Sequence, residues 1–250
     1  MTALAELAPT LWGVGALAAV ATLVLVVFRV PRLWEPAVAI ARGALQLAVI
    51  SVILTGIISS SLWIATALVA MFAIATGVAT GRVGWSARNA LQLAGSMGVG
   101  IVVALTVVFS TGALELTPRY ALAIGAIVIG NAMSIATLTG RTLTKAVDEH
   151  WDDVEGWLAL GATPRRSTVA LARGAVRDAL VPSIDQTKTT GLVVLPGAFV
   201  GAIFGGISPL EAGRFQIVVL ASIMAAGATT AVILAAWMGD IRRRPAALPR

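Results

Sequence analysis

The sequence predicts an all-α, polytopic membrane protein with about seven transmembrane helices and one cytoplasmic helical hairpin. Three observations predict it. The chain of 250 residues is 58% hydrophobic and only 12% charged, where soluble domains average about 25% charged. Mean hydropathy is +0.92. Apolar runs of roughly the 20 residues needed to cross a bilayer recur along the chain.

Seven stretches qualify: 9–28, 37–58, 62–80, 91–110, 119–138, 190–207 and 216–238. The first follows MTALAELA, which holds no Lys or Arg, and no small-residue cleavage site leads into a soluble domain. It is expected to remain as a span, not to act as a cleaved signal peptide. The second contains Arg42 and, one turn on, Gln46. The fourth starts near Gln92, at the interface. The fifth should continue as a helix past Arg141. The sixth is interrupted at Leu195–Pro196–Gly197, because proline removes a backbone hydrogen bond and kinks a helix. No linker, repeat or low-complexity stretch divides the chain, so it reads as one domain, 1–250.

Orientation follows from the placement of Lys and Arg. Of 18 such residues, 15 fall on the side that holds residues 139–189 and the C-terminus. Two, Arg119 and Arg214, fall on the other side, and Arg42 lies inside the second span. The expected topology is N-terminus outside and C-terminus cytoplasmic, in a cell (plasma or inner) membrane. The +6 charge is then a topology signal. No basic domain or aromatic platform suggests nucleic acid. The absence of cysteine excludes disulfides and thiolate metal sites.

Residues 139–189 form the only sizeable polar interruption. Asp148, Asp152 and Glu155 are spaced to share a helix face. The apolar run WLALGA follows, ended by Gly161 as a helix C-cap. Thr163–Pro164 restarts a helix as N-cap and N1. That helix is expected to run to about Leu180 and to end at Pro182. An exposed apolar helix at the tip of a charged hairpin is costly unless it docks on something. It either docks on a cytosolic partner or folds back on the protein's own loops.

The motifs here carry a resemblance. GNAM (130–133), LALGATP (158–164), ALVPSIDQTKTTGLVVLPG (179–197) and SPLEAGRFQIVV (208–219), with RGALQL (42–47), occur in one order along the chain. It resembles the FetB family of ABC-transporter permeases, whose bacterial members are described as iron exporters and whose plant relatives are linked to aluminium tolerance. The resemblance implies a coupling helix around Glu155, Trp157, Leu158, Leu160, Gly161 and Ala162 that inserts into a cytosolic ABC ATPase subunit. It also implies a homodimer. No GxxxxGK[ST] occurs, so ATP would be used by the partner subunit and no cofactor is bound by this chain. The chain itself is then no enzyme.

Polar groups within spans are functional hypotheses by default. Arg42 and Gln46 could line a pathway, with Arg42 paired to a carboxylate such as Glu35. They could equally snorkel and bridge helices. Asn131 can glue helices or offer its carbonyl to a cation. Pro196 and Gly197 mark a break of the kind transporters use at mid-membrane, whereas Gly197, Gly201 and Gly205 form a stripe suited to close helix contact. Met133 is a candidate soft ligand. Where the family is methionine-rich after LPG, this chain has Ala198–Phe199. The metal ligands are therefore left unknown.

These features point to the membrane permease of an ATP-driven exporter, with iron as the family's implied cargo. Export follows from the family and from the short outside loops. The alternatives are an ABC-type exporter of a non-metal substrate, a stand-alone channel or secondary transporter, or a non-transporting membrane scaffold.

Overall fold

The computed structural model describes residues 2–57 and 61–245, with side chains described for 8–51 and 61–245. Residue 58 of the second expected span, most of the SSS loop and Arg250 lie outside the described residues. Two compact units emerge, Met1–Ser59 and Ser60–Arg250.

The first unit is a pair of helices, α1 (Thr2–Val27) and α2 (Glu35–Ile57), packed on each other. In the turn between them, Arg32 Nη1 donates to Glu35 Oε1 at 3.0 Å. The expected pairing of Glu35 with Arg42 is therefore not formed. Arg32 stands three residues away, next to the start of α2, and reaches the carboxylate first. Most described side chains of this unit are exposed.

The second unit contains α3 (Ser61–Val83), α4 (Ala87–Ser110), α5 (Pro118–Glu149), α6 (Trp151–Ala159), α7 (Pro164–Thr189), α8 (Gly197–Phe204) and α9 (Pro209–Met238). Three starts share one chemistry. Thr117–Pro118, Thr163–Pro164 and Ser208–Pro209 each put a hydroxyl residue at the N-cap and proline at the next position. Ser208 Oγ accepts from the Glu211 amide, a side-chain N-cap, and donates to Glu211 Oε2. Thr163 fills its position without a side-chain bond.

The core lies among α3, α4, α5 and α9. Leu93, Met97, Ile124, Val128 and Leu234 are its largest fully buried members. α4 and α9 approach closely at Gly100, and Gln92 Nε2 donates across them to the Trp237 carbonyl at 3.2 Å.

Among the described residues, five helices are long and apolar enough to cross a membrane: Ala8–Val27 of α1, α3, α4, α5 and α9. α2 has 23 residues. The stretch 190–207, expected as a span, is not one helix. Residues 190–196 form a turn closed by Gly191 N to Val194 O at 2.8 Å. α8 then has 8 residues, about 12 Å at 1.5 Å per residue, well short of a bilayer core.

What takes its place was not expected. α7 runs 26 residues, straight past Pro182. Ala175, Ala179 and Ser183 are buried on one face against α5 and α9. This packing on both sides of Pro182 outweighs the local cost of about 3 kcal/mol for an interior proline. α7 is antiparallel to α9: Thr168 Oγ1 donates to Gly239 O at 2.7 Å, and Leu180 Cδ2 lies 3.6 Å from where a Gly227 Cβ would stand. From Thr168 to Leu180 is twelve residues, and from Gly239 back to Gly227 is also twelve. One register therefore holds along the pair.

Candidate functional site

The segment expected to couple to a partner is α6 and the turn behind it. α5 ends at Glu149, and His150 (φ −111°, ψ 33°) separates it from α6. The expected single acidic face of Asp148, Asp152 and Glu155 is thus split over two helices. The local reason is the non-helical His150 backbone. The acidic residues take separate partners: Asp148 Oδ1 accepts from Arg244 Nε at 2.6 Å, and Glu149 lies 3.7 Å from Lys145. The hydrogen bond to Asp148, then its charge, raises the Arg244 pKa. Among the described residues, no three His, Asp or Glu side chains gather as a metal site.

α6 closes as its sequence requires. Ala162 N donates to Trp157 O and Gly161 N to Leu158 O, the paired bonds of a Schellman turn. Gly161 holds φ +86°, where a Cβ would be strained. Val154 is buried and Leu158 packs on the cluster of Leu143, Val147 and Ala175. That cluster anchors one side of α6. On the other side Trp157 is 53% exposed and Leu160 83%; Glu155 is exposed too. A shallow recess of about 400 Å³ lies beside them, lined by His150, Asp153, Trp157, Leu160 and Leu171. The hairpin has therefore folded back through Leu158 while leaving an apolar tip uncovered.

The pathway candidates are scattered. Arg42 and Gln46 are exposed on α2, in the first unit. Asn131 on α5 donates its Nδ2 to Ile127 O of its own helix at 2.9 Å, which leaves Oδ1 as its free acceptor. Met133, two residues on, lies about 200° around the helix and packs against the apolar core. These two side chains form no common site. Pro196 caps α8 and Gly197 begins it. A Cβ at Gly197 or Gly201 would meet open space, whereas the close helix approaches are at Gly100, Gly125, Gly140 and Gly227.

Two features were missed in the sequence. α7 continues past Pro182 through Asp185, Gln186 and Lys188 as one helix, which packs on α5 and α9 through Ala179 and Leu180. The seven charged residues of α7 concealed the buried stripe of Ala175, Ala179 and Ser183, whose spacing of four was the available signal. Gln216, at the start of an expected span, is 5% exposed and its Oε1 has no hydrogen-bond partner.

Comparison with known proteins decides the family. A model described as "Uncharacterised protein family (UPF0014)" matches residues 10–241. The chain belongs to UPF0014. Among its relatives, the rice (Oryza sativa subsp. japonica) "UPF0014 membrane protein STAR2" is 38% identical over 78% of this chain and 69% of the rice protein. "Protein ALUMINUM SENSITIVE 3" of Arabidopsis thaliana is 35% identical over 80% of this chain and 73% of its own length. "Probable iron export permease protein FetB" of Escherichia coli (strain K12) is 35% identical over 54% of this chain and 52% of its own. No solved structure matches. This UPF0014 chain is a multi-pass membrane protein of a family that includes permeases.

Proposed function

We infer that this UPF0014 protein is the membrane permease of an ABC-type exporter, that it works as a homodimer, and that a separate ATPase subunit drives it. The observation that carries the reading is the uncovered tip of α6. Trp157 and Leu160 are large, apolar and exposed at the end of a helix whose other side is fixed. Such a patch fits a groove on a soluble partner. The bias of Lys and Arg toward this side of the chain supports a cytoplasmic tip, where ATP is.

The substrate reading is a metal cation. Its support is the printed name of the E. coli relative together with the break at 190–196, which frees backbone carbonyls as hard oxygen ligands. Within the second unit, Asn131 Oδ1, Pro196 and Gly197 would line its path. Alternating access would run from ATP-driven closure of the ATPase pair through α6 to α5 and α7.

Efflux is the test. Vesicles holding this chain and its ATPase are loaded with iron, manganese, zinc or cobalt, and loss is followed with an intact and a catalytically dead ATPase. ATP-dependent loss of one metal supports the exporter. A stable complex with no metal loss would remove the metal and leave an exporter of another substrate. Failure of the α6 tip to hold any ATPase would overturn the reading and favour a scaffold.

A further inference from the structure

We propose that the C-terminal third of α7 lies within the membrane, and that its charged face lines a water-filled passage. This rests on the transporter reading.

Depth comes first. The register fixed by Thr168–Gly239 and Leu180–Gly227 sets Asp185, five residues beyond Leu180, level with Ser222 of α9. Ser222 is thirteen residues from Pro209 and sixteen from Met238, so about 20 Å and 24 Å from the two ends. α9 is the helix with the highest mean hydropathy among the five that can span, 2.3 over its window. Asp185 is therefore near mid-membrane. Lys188 falls one turn nearer the Pro209 end. The Asp185–Lys188 pair is 3.7 Å apart, and their side chains are 63% and 70% exposed. Charged side chains do not face acyl chains; they face protein or water.

Water is favoured over a flat protein seam by three further facts. Gln186 lies on the same face as buried Ala179 and Ser183, at spacings of seven and three, yet is exposed. α7 thus loses its cover on the inward side at the level where the charges occur. On α5, Asn131 is one turn from Ile135, which packs on Ala179, and its Oδ1 is free. On α9, Gln216 is three turns from Gly227 on the same face, nine-tenths buried, with an unpartnered Oε1. By the helix registers, the Asp185–Lys188 pair and Gln186 of α7, Asn131 Oδ1 of α5 and the buried, unpartnered Gln216 Oε1 of α9 gather around the end of α7 and the turn 190–196. An apolar filling would leave each of them at a cost.

The chain has no cysteine, so single-cysteine variants need no prior background. Asp185→Cys, Gln186→Cys and Lys188→Cys are made in the full chain, in membranes. Ala221→Cys, exposed on α9 at nearly the same level, is the control, and is expected to face lipid. The probe is a charged, membrane-impermeant methanethiosulfonate. The three α7 sites should label on the order of ten-fold or more faster than Ala221→Cys, because the reactive thiolate forms in water and not among acyl chains. Equal, rapid labelling at all four sites would place α7 and α9 outside the bilayer and overturn the proposal. No labelling at the α7 sites, with oxidation joining two copies through Asp185→Cys, would assign the face to a dimer seam and also overturn it. Labelling reads the passage without any substrate, so a failed efflux assay beside positive labelling would count against the exporter and not against the passage.

Discussion

A methyl group on Gly100 would stand 2.5 Å from the Ala226 carbonyl oxygen. The backbones of α4 and α9 meet there at the centre of the second unit, with Thr230 Oγ1 against the same spot. Membrane helices approach this closely only through small residues, since lipid gives no hydrophobic push.

Gly100→Ala should therefore force the two helices apart. Overpacking of this kind costs about 1–3 kcal/mol. The loss is read as a lower midpoint of thermal unfolding in detergent, followed by tryptophan fluorescence. Gly130→Ala, at a position with open space around it, should leave the midpoint unchanged or slightly raised.

The register of α7 on α9 depends on Thr168, whose hydroxyl is buried and donates to Gly239 O at 2.7 Å. Thr168→Val keeps the volume and removes this donor; Gly239 O keeps only the Ile241 amide at 3.0 Å, so the loss should be about 1 kcal/mol. Thr168→Ser retains the donor and should recover most of that. The same unfolding measurement compares them.

At the α6 tip, stability and binding should separate. Gly161→Ala puts a Cβ at φ +86°, costs about 1–2 kcal/mol, and should weaken both folding and capture of the ATPase. Leu160→Ala removes an 83% exposed side chain and should leave the unfolding midpoint in place while co-purification of the ATPase is lost. If the ATPase binds the Leu160→Ala chain undiminished, the tip is not the docking element.

Asn131 and Met133 give a second pair. Asn131→Leu removes the free Oδ1 and should abolish transport in the efflux assay with the ATPase still bound. Met133→Leu conserves volume in the core, costs less than about 1.5 kcal/mol, and should transport normally. A loss of transport in Met133→Leu alone would restore the thioether as a ligand.

The helices of the second unit were legible because their apolar runs and caps agree. Thr163–Pro164 was read as a helix start and is one, and α5 was expected to pass Arg141 as it does. α7 was not legible. Its average composition is polar, and Pro182 reads as a stop when local cost is the only term. Only contact with Ile135, Gly227 and Ala231 shows why the helix continues. Site legibility divides likewise. Gly161 could be placed from the glycine after an apolar run, since a left-handed cap is a local property. The separation of Asn131 from Met133 follows from helix phase and could have been read. The orphaned Oε1 of Gln216 could not, because it depends on what the neighbouring helices fail to supply.

α5 runs unbroken for 32 residues from Pro118 to Glu149, with α6 hanging from its far end. A rod of about 48 Å turns a push at one end into a graded movement along its length. Asn131 is thirteen residues from Pro118, out of the thirty-one that separate Pro118 from Glu149. If the Pro118 end is the fulcrum, a stroke of roughly 3 Å at Glu149 becomes a little over about 1 Å at Asn131. That is enough to make or lose a hydrogen bond or ligand contact at the Asn131 side chain, and it needs no bending anywhere between. The gearing is set by helix length alone. Inserting four residues between Asn131 and Glu149 would lengthen the arm without changing the side chains around the fulcrum.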